Sequence, residues 1–142
     1  TGHEPQIIRN THLAHKGGKV LTAPEMHELL TQVARYRRLA CCGFCPRKGE
    51  KPTPGLPGGH VHAILEYDSV RRELTIFNPW GHTFKPKGEP GLANGYPIEH
   101  GQFKIPLRDF LVVFGSLTYE TTMPVSKDDG KPAPAHRPKK KK

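Results

Sequence analysis

His60 and the tetrapeptide Asn78-Pro-Trp-Gly81, which starts eighteen residues later, are the groups in this chain best suited to chemistry. An imidazole can take the proton of a thiol, and an amide can hold that imidazole in one tautomer and one tilt. An aromatic ring beside the pair keeps water from competing for their hydrogen bond. Two adjacent antiparallel strands deliver both groups if His60 starts one and Asn78 ends the next, with Trp80 as the shield. The tetrapeptide also fits a plainer role, a hairpin closed by a proline turn with a tryptophan in the core. His62 lies on the same strand face and is an alternative to His60. A second constellation overlaps the first. Cys42-Gly-Phe-Cys45 followed by His60 and His62 is loosely a Cys2His2 zinc set, since histidines at i and i+2 of a strand point the same way.

The elements that would carry these groups follow from the pattern. Thr22-Ala-Pro-Glu25 is a capping box with proline in the first turn, where no helical hydrogen bond is lost. Met26, Leu29, Leu30 and Val33 follow at the spacing of one helical face, so a helix is predicted from about 23 to 38, closing on the basic run Arg35, Arg37 and Arg38. Residues 46–59 are rich in Pro and Gly and read as a loop. From His60 to Asp68 the residues alternate, with Val61, Ala63, Leu65 and Tyr67 on one face and His60, His62, Ile64 and Glu66 on the other. A polar turn leads to a second strand over Glu73–Asn78, making an antiparallel hairpin. Residues 81–101 read as a long loop. Phe103 and Ile105 begin another extended element, Leu107–Phe114 is apolar with Arg108 and Asp109 exposed, and Ser116–Thr121 is a last strand. The fold class is α+β, mostly antiparallel sheet with one N-terminal helix.

At 142 residues the chain holds one domain, placed at 19–123, preceded by an extended arm over 1–18 and followed by a disordered basic tail over 124–142. The first residue is Thr1 rather than Met, so the chain is read as processed or as a piece of something longer. Of the formal charge of +9, a net +5 falls between Lys127 and Lys142, where seven basic residues face Asp128 and Asp129. Such a tail suits a polyanion or an acidic protein surface, or simply keeps the chain in solution. No aromatic residue is interleaved with the lysines, which argues against specific nucleic-acid recognition. No apolar run approaches the ~20 residues that cross a bilayer, and no signal-peptide pattern opens the chain. Three cysteines within five residues, Cys41, Cys42 and Cys45, do not make a disulfide framework and fit a reducing compartment. An intracellular protein, cytoplasmic or cytoskeletal, is expected.

Three segments in order give the site a family context. Gly55-Leu-Pro-Gly-Gly-His60-Val-His-Ala-Ile64 resembles the calpain stretch Gly-Leu-x-x-Gly-His-Ala-Tyr-Ser-Val. Thr75-Ile-Phe-Asn-Pro-Trp-Gly81 resembles the calpain strand ending in Asn-Pro-Trp-Gly. His100-Gly-Gln-Phe-Lys-Ile-Pro-Leu-Arg-Asp-Phe110 resembles the later Asp-Gly-Glu-Phe-Trp-x-x-x-x-Asp-Phe. Leu39–Phe44 sits where calpains carry a Gly-Cys strand. The resemblance covers roughly residues 25–122 and implies the second, His/Asn subdomain of a calpain-type, papain-like protease core. It implies that His60 is the catalytic histidine and Asn78 the catalytic asparagine, with Trp80 supporting them. His62 stands where calpains have an aromatic residue.

The departures from that pattern shape the functional expectation. Calpains place the nucleophile in a preceding subdomain, on a helix opened by Gly-x-Cys-Trp, and nothing in this chain matches it. By the resemblance Cys41 and Cys42 are strand cysteines. The acids through which calpains bind calcium are replaced by His82, His100 and Gln102, and a hard cation wants several carboxylate oxygens. No cofactor is expected, and zinc at Cys42, Cys45, His60 and His62 stays open as a structural alternative. Two functions remain. One is a non-catalytic binding or structural module of a larger protein or assembly. The other is an active calpain-like cysteine endopeptidase whose cysteine comes from another segment or a partner chain.

Overall fold

The computed structural model describes residues 5–9, 21–44 and 49–121. Thr22 opens helix α1 (Ala23–Arg35) as its sequence requires: the Thr22 side chain accepts from the Glu25 backbone while the Glu25 carboxylate accepts from Thr22 N at 2.8 Å. Met26, Leu30 and Val33 form the buried stripe of this helix. It ends at Arg35, three residues short of the expected boundary. Arg37 adopts a left-handed conformation (φ 50°), and the amides of Arg37 and Arg38 bond back to Ala34 and Val33. That closure satisfies the last carbonyls and turns the chain toward the sheet.

Six strands form one sheet: β1 (Pro5–Arg9), β2 (Ala40–Phe44), β3 (His60–Asp68), β4 (Glu73–Phe77), β5 (Gln102–Pro106) and β6 (Ser116–Glu120). Their order is β1-β6-β2-β3-β4-β5, and every neighbouring pair is antiparallel. The last strand thus inserts between the first two. Within the segment expected as an extended arm, residues 5–9 form β1 against β6. The rest of that arm, Cys45 and the basic tail lie outside the described residues.

Both helices pack on one face of the sheet, α1 against β3 and α2 (Leu107–Val113) against β4 and β5. The core they enclose includes Phe44, Leu74, Ile76, Phe103, Ile105, Phe110, Phe114 and Leu117. The architecture is therefore α+β with two helices, where one was expected. Helix α2 has only seven residues, too few for Leu107, Phe110 and Val113 to announce a helical period before the strand that follows. Asp109, expected to be exposed, is only 14% exposed and accepts a hydrogen bond from Tyr96 Oη at 2.8 Å. That bond ties the long 81–101 loop to the helix layer. Burial, followed by the Asp109 contact, raises the Tyr96 phenol well above its ordinary pKa.

One strand face also differs from simple alternation. The β3–β4 register runs Ala63–Phe77 and Ile64–Ile76, then Glu66–Thr75 and Tyr67–Leu74, so Leu65 is an extra residue. This β-bulge moves Tyr67 from the face of Val61 to the buried face, where it meets His27 Nδ1 at 2.6 Å, and leaves Leu65 exposed. Among the described residues no helix is long and apolar enough to cross a membrane.

The long loop returns to the end of β4 at a single tight point. Asn78 N donates to Gly101 O at 2.7 Å and Gly101 N to His82 O at 2.7 Å. Gly101 has φ 84°, and a Cβ there would fall 2.3 Å from the Asn78 carbonyl oxygen. Gly101→Ala is expected to destabilise the fold by about 2 kcal/mol or more, a fall in Tm of roughly 10 °C. Gly91→Ala, where a Cβ meets nothing within 4 Å, leaves Tm unchanged. Parallel thermal melts of the two variants decide the point.

Candidate active site

Strand β3 begins at His60 and strand β4 ends one residue before Asn78, so the hairpin brings the two side chains to the same end of the sheet. Extending the Ala63–Phe77 register by one residue sets Asn78 opposite His62, with His60 as its diagonal neighbour, a separation that a side-chain amide spans. The amide bonds to the diagonal partner: His60 Nε2 and Asn78 Oδ1 are 2.7 Å apart. Asn78 is fully buried and His60 partly so.

The tautomers in this network follow from its two ends. Trp80 N–H donates to Asn78 Oδ1 at 3.0 Å, which fixes that atom as an acceptor, so His60 must donate from Nε2. The Gly55 carbonyl, 2.7 Å from His82 Nε2, can only accept, so His82 carries its proton on Nε2 and its Nδ1 is an acceptor. Asn78 Nδ2 then donates to His82 Nδ1 at 3.2 Å. The four bonds form one consistent donor–acceptor pattern. His60 Nδ1, on the far edge of the ring, has no partner among the described residues.

Trp80 lies over the His60 ring with centroids 3.9 Å apart and planes tilted by 31°. The indole is 66% exposed, so it is a lid on the histidine and not a core residue. Trp80 also borders a shallow groove of about 380 Å³ whose lining includes Pro52, Pro54, Leu56, Pro57 and His82. The alternative of a hairpin with a core tryptophan does not describe this turn.

His62 has a different environment. It is fully buried, packed edge-on against Phe103, Phe114 and His60, and neither ring nitrogen makes a hydrogen bond of ordinary geometry. Burial first, then the neighbouring imidazoles of His60 and His82, lowers its pKa from the ordinary 6.5 to about 4; the His60 backbone opposes this weakly. The hydrogen bond to Asn78 is therefore made by His60 and not by His62.

The cysteines are placed by the register of β2 on β3, where Cys42 faces His62 and Phe44 faces His60. Cys42 is buried, and that burial, with Cys41 adding to it, raises its thiol well above the ordinary value. A nucleophile needs the thiolate, which this environment disfavours. Cys41 points from the opposite face of the strand, away from His60. Of the zinc set, Cys42 and His62 are in register, His60 is committed to Asn78, and Cys45 lies outside the described residues; no group of three or more potential ligands gathers among the described residues. His100 sits on the loop that buttresses Asn78 and Gln102 opens β5, and both are exposed.

His82 is the member of this site that sequence reasoning read differently, as a lost calcium ligand. Its place four residues after Asn78 was the available signal, since that spacing brings a side chain back across a tight turn.

The His62 environment makes a prediction with a definite sign. Between pH 6.5 and about 4 the unfolded chain takes up a proton that the native chain refuses, so this histidine's full stability is present above about pH 6.5 and declines toward pH 4. His62→Phe removes that decline, of the order of 3 kcal/mol at most. It also removes two buried nitrogens without partners. Urea unfolding across this pH range is expected to show a slope shallower by about one proton in the variant; an unchanged slope would refute the assignment.

Comparison of the chain with protein families and with curated proteins found no family model that matches it and no curated sequence similar to it.

Proposed function

We propose that this chain is the histidine–asparagine half of a calpain-like cysteine peptidase core, which acts on peptide bonds once a cysteine thiol is supplied by another segment of the polypeptide or by a partner chain. The single observation that carries this reading is the His60–Asn78–Trp80 arrangement. An Nε2–H donated to a buried amide leaves Nδ1 as the base, and a stacked indole covers the pair. A thiol brought to Nδ1 would transfer its proton there and form a thiolate–imidazolium pair. The Nε2–H would remain on Asn78 Oδ1, whose dipole favours the cation. The groove along Trp80 and the 52–57 loop offers an apolar path for a substrate chain passing His60.

A second reading, a non-catalytic binding or structural module, is favoured by the described cysteines, since one is buried and protonated and the other faces away from the dyad. The two separate by labelling the native full-length protein or assembly with a thiol-directed peptidyl inhibitor. The peptidase reading expects covalent label on a cysteine outside β2, and its loss in His60→Ala with the fold intact. Absence of label on a correctly folded assembly would leave the module.

A further inference from the structure

His82 is bonded at both ring nitrogens within the candidate site, in addition to the backbone bonds that hold its loop. The Phe84–Ile98 bridge and the Gly101 N–H to His82 O bond secure this stretch through main-chain atoms. What the His82 imidazole adds is an acceptor facing a buried amide. The two ends of an asparagine side chain have nearly the same shape, so packing does not choose between them and only hydrogen-bond partners do. At one end of Asn78 stand Trp80 N–H and His60 Nε2, at the other His82 Nδ1 alone. His82 Nδ1 is an acceptor because Gly55 O holds the proton on Nε2.

We propose that His82 is a positioning residue, whose Nδ1 holds the nitrogen end of the Asn78 amide as Trp80 N–H holds the oxygen end, and so keeps Oδ1 aligned on the His60 Nε2–H. This deepens the peptidase reading and rests on it for its functional meaning, but the hydrogen-bond order is a property of the folded chain itself. It also links the dyad to the proline-rich loop, since the carbonyl that sets the His82 tautomer belongs to Gly55, beside the groove. Without that acceptor, Asn78 Nδ2 would be buried with no partner, and Trp80 N–H alone would hold the amide in line with His60.

The test uses the 142-residue chain and nitrogen-15 NMR of its imidazoles, which reports tautomer and proton exchange without any need for activity. The wild type is expected to show His60 as a single Nε2–H species with a slowly exchanging proton. His82→Phe keeps the ring shape but removes both nitrogens, and should accelerate exchange of that proton about tenfold, the scale of one lost hydrogen bond. His82→Asn places an oxygen where Nδ1 stood and should restore the wild-type signal. His82→Gln, which reaches Gly55 but not Asn78, should not. Unchanged protection of the His60 proton in His82→Phe would overturn the proposal, as would rescue by Gln and not by Asn. If the Phe variant does not fold, the Asn and Gln pair still decides. Failure of inhibitor labelling in the native assembly with this NMR pattern intact would count against the peptidase reading alone.

Discussion

A primary amide sealed away from water must find partners for its oxygen and its nitrogen, and Asn78 is such an amide. Its side chain bonds to His60, Trp80 N–H and His82, while its backbone bonds to Gly101 and Gly81. These partners come from the start of β3, the turn after β4 and the end of the long loop, and His82 extends the chain to Gly55. An unmet hydrogen bond in that position costs about 1–3 kcal/mol, so each of these segments is held in place by the same requirement. The site is therefore a knot in the fold as much as a place for chemistry. It lies at one end of the sheet because only there do strand ends and loops converge on a single residue.

The glycines and the long loop serve this arrangement. Gly101 lets backbone touch backbone at the Asn78 carbonyl, and Gly95 lets the chain pass against Pro54 O and Phe84, where any Cβ would collide. Tyr96 anchors the middle of the loop to Asp109 on α2. A segment that reads as a run of turn residues is thus packed at three points, and its buried members Tyr96 and Ile98 belong to the core.

His60 and His62 show how much two residues of separation can change a side chain. They share a strand face and lie 5.0 Å apart ring to ring. His60, at the strand end, meets an amide, an indole and solvent, and is kept polar. His62, one step into the sheet, is enclosed by Phe103, Phe114 and Cys42 and behaves as an aromatic filler. The difference is access to hydrogen-bond partners, which the core denies to one and the loop supplies to the other.

The sequence by itself determined the α+β class, the capping box and buried stripe of α1, the β3–β4 hairpin and the presence of His60, Asn78 and Trp80 at its open end, because these follow from local spacing and strand period. It could not show the insertion of β6 between β1 and β2, since strand order depends on long-range burial. Nor could it show the bulge at Leu65 that buried Tyr67, because one extra residue leaves no mark in an alternating pattern. The short α2 was hidden by having fewer than two full turns. Which of His60 and His62 bonds to Asn78, and the bonding of His82 at both ring nitrogens, emerged only in three dimensions. Both depend on which buried donors and acceptors face one another, and that is set by how the loop folds back across the sheet end.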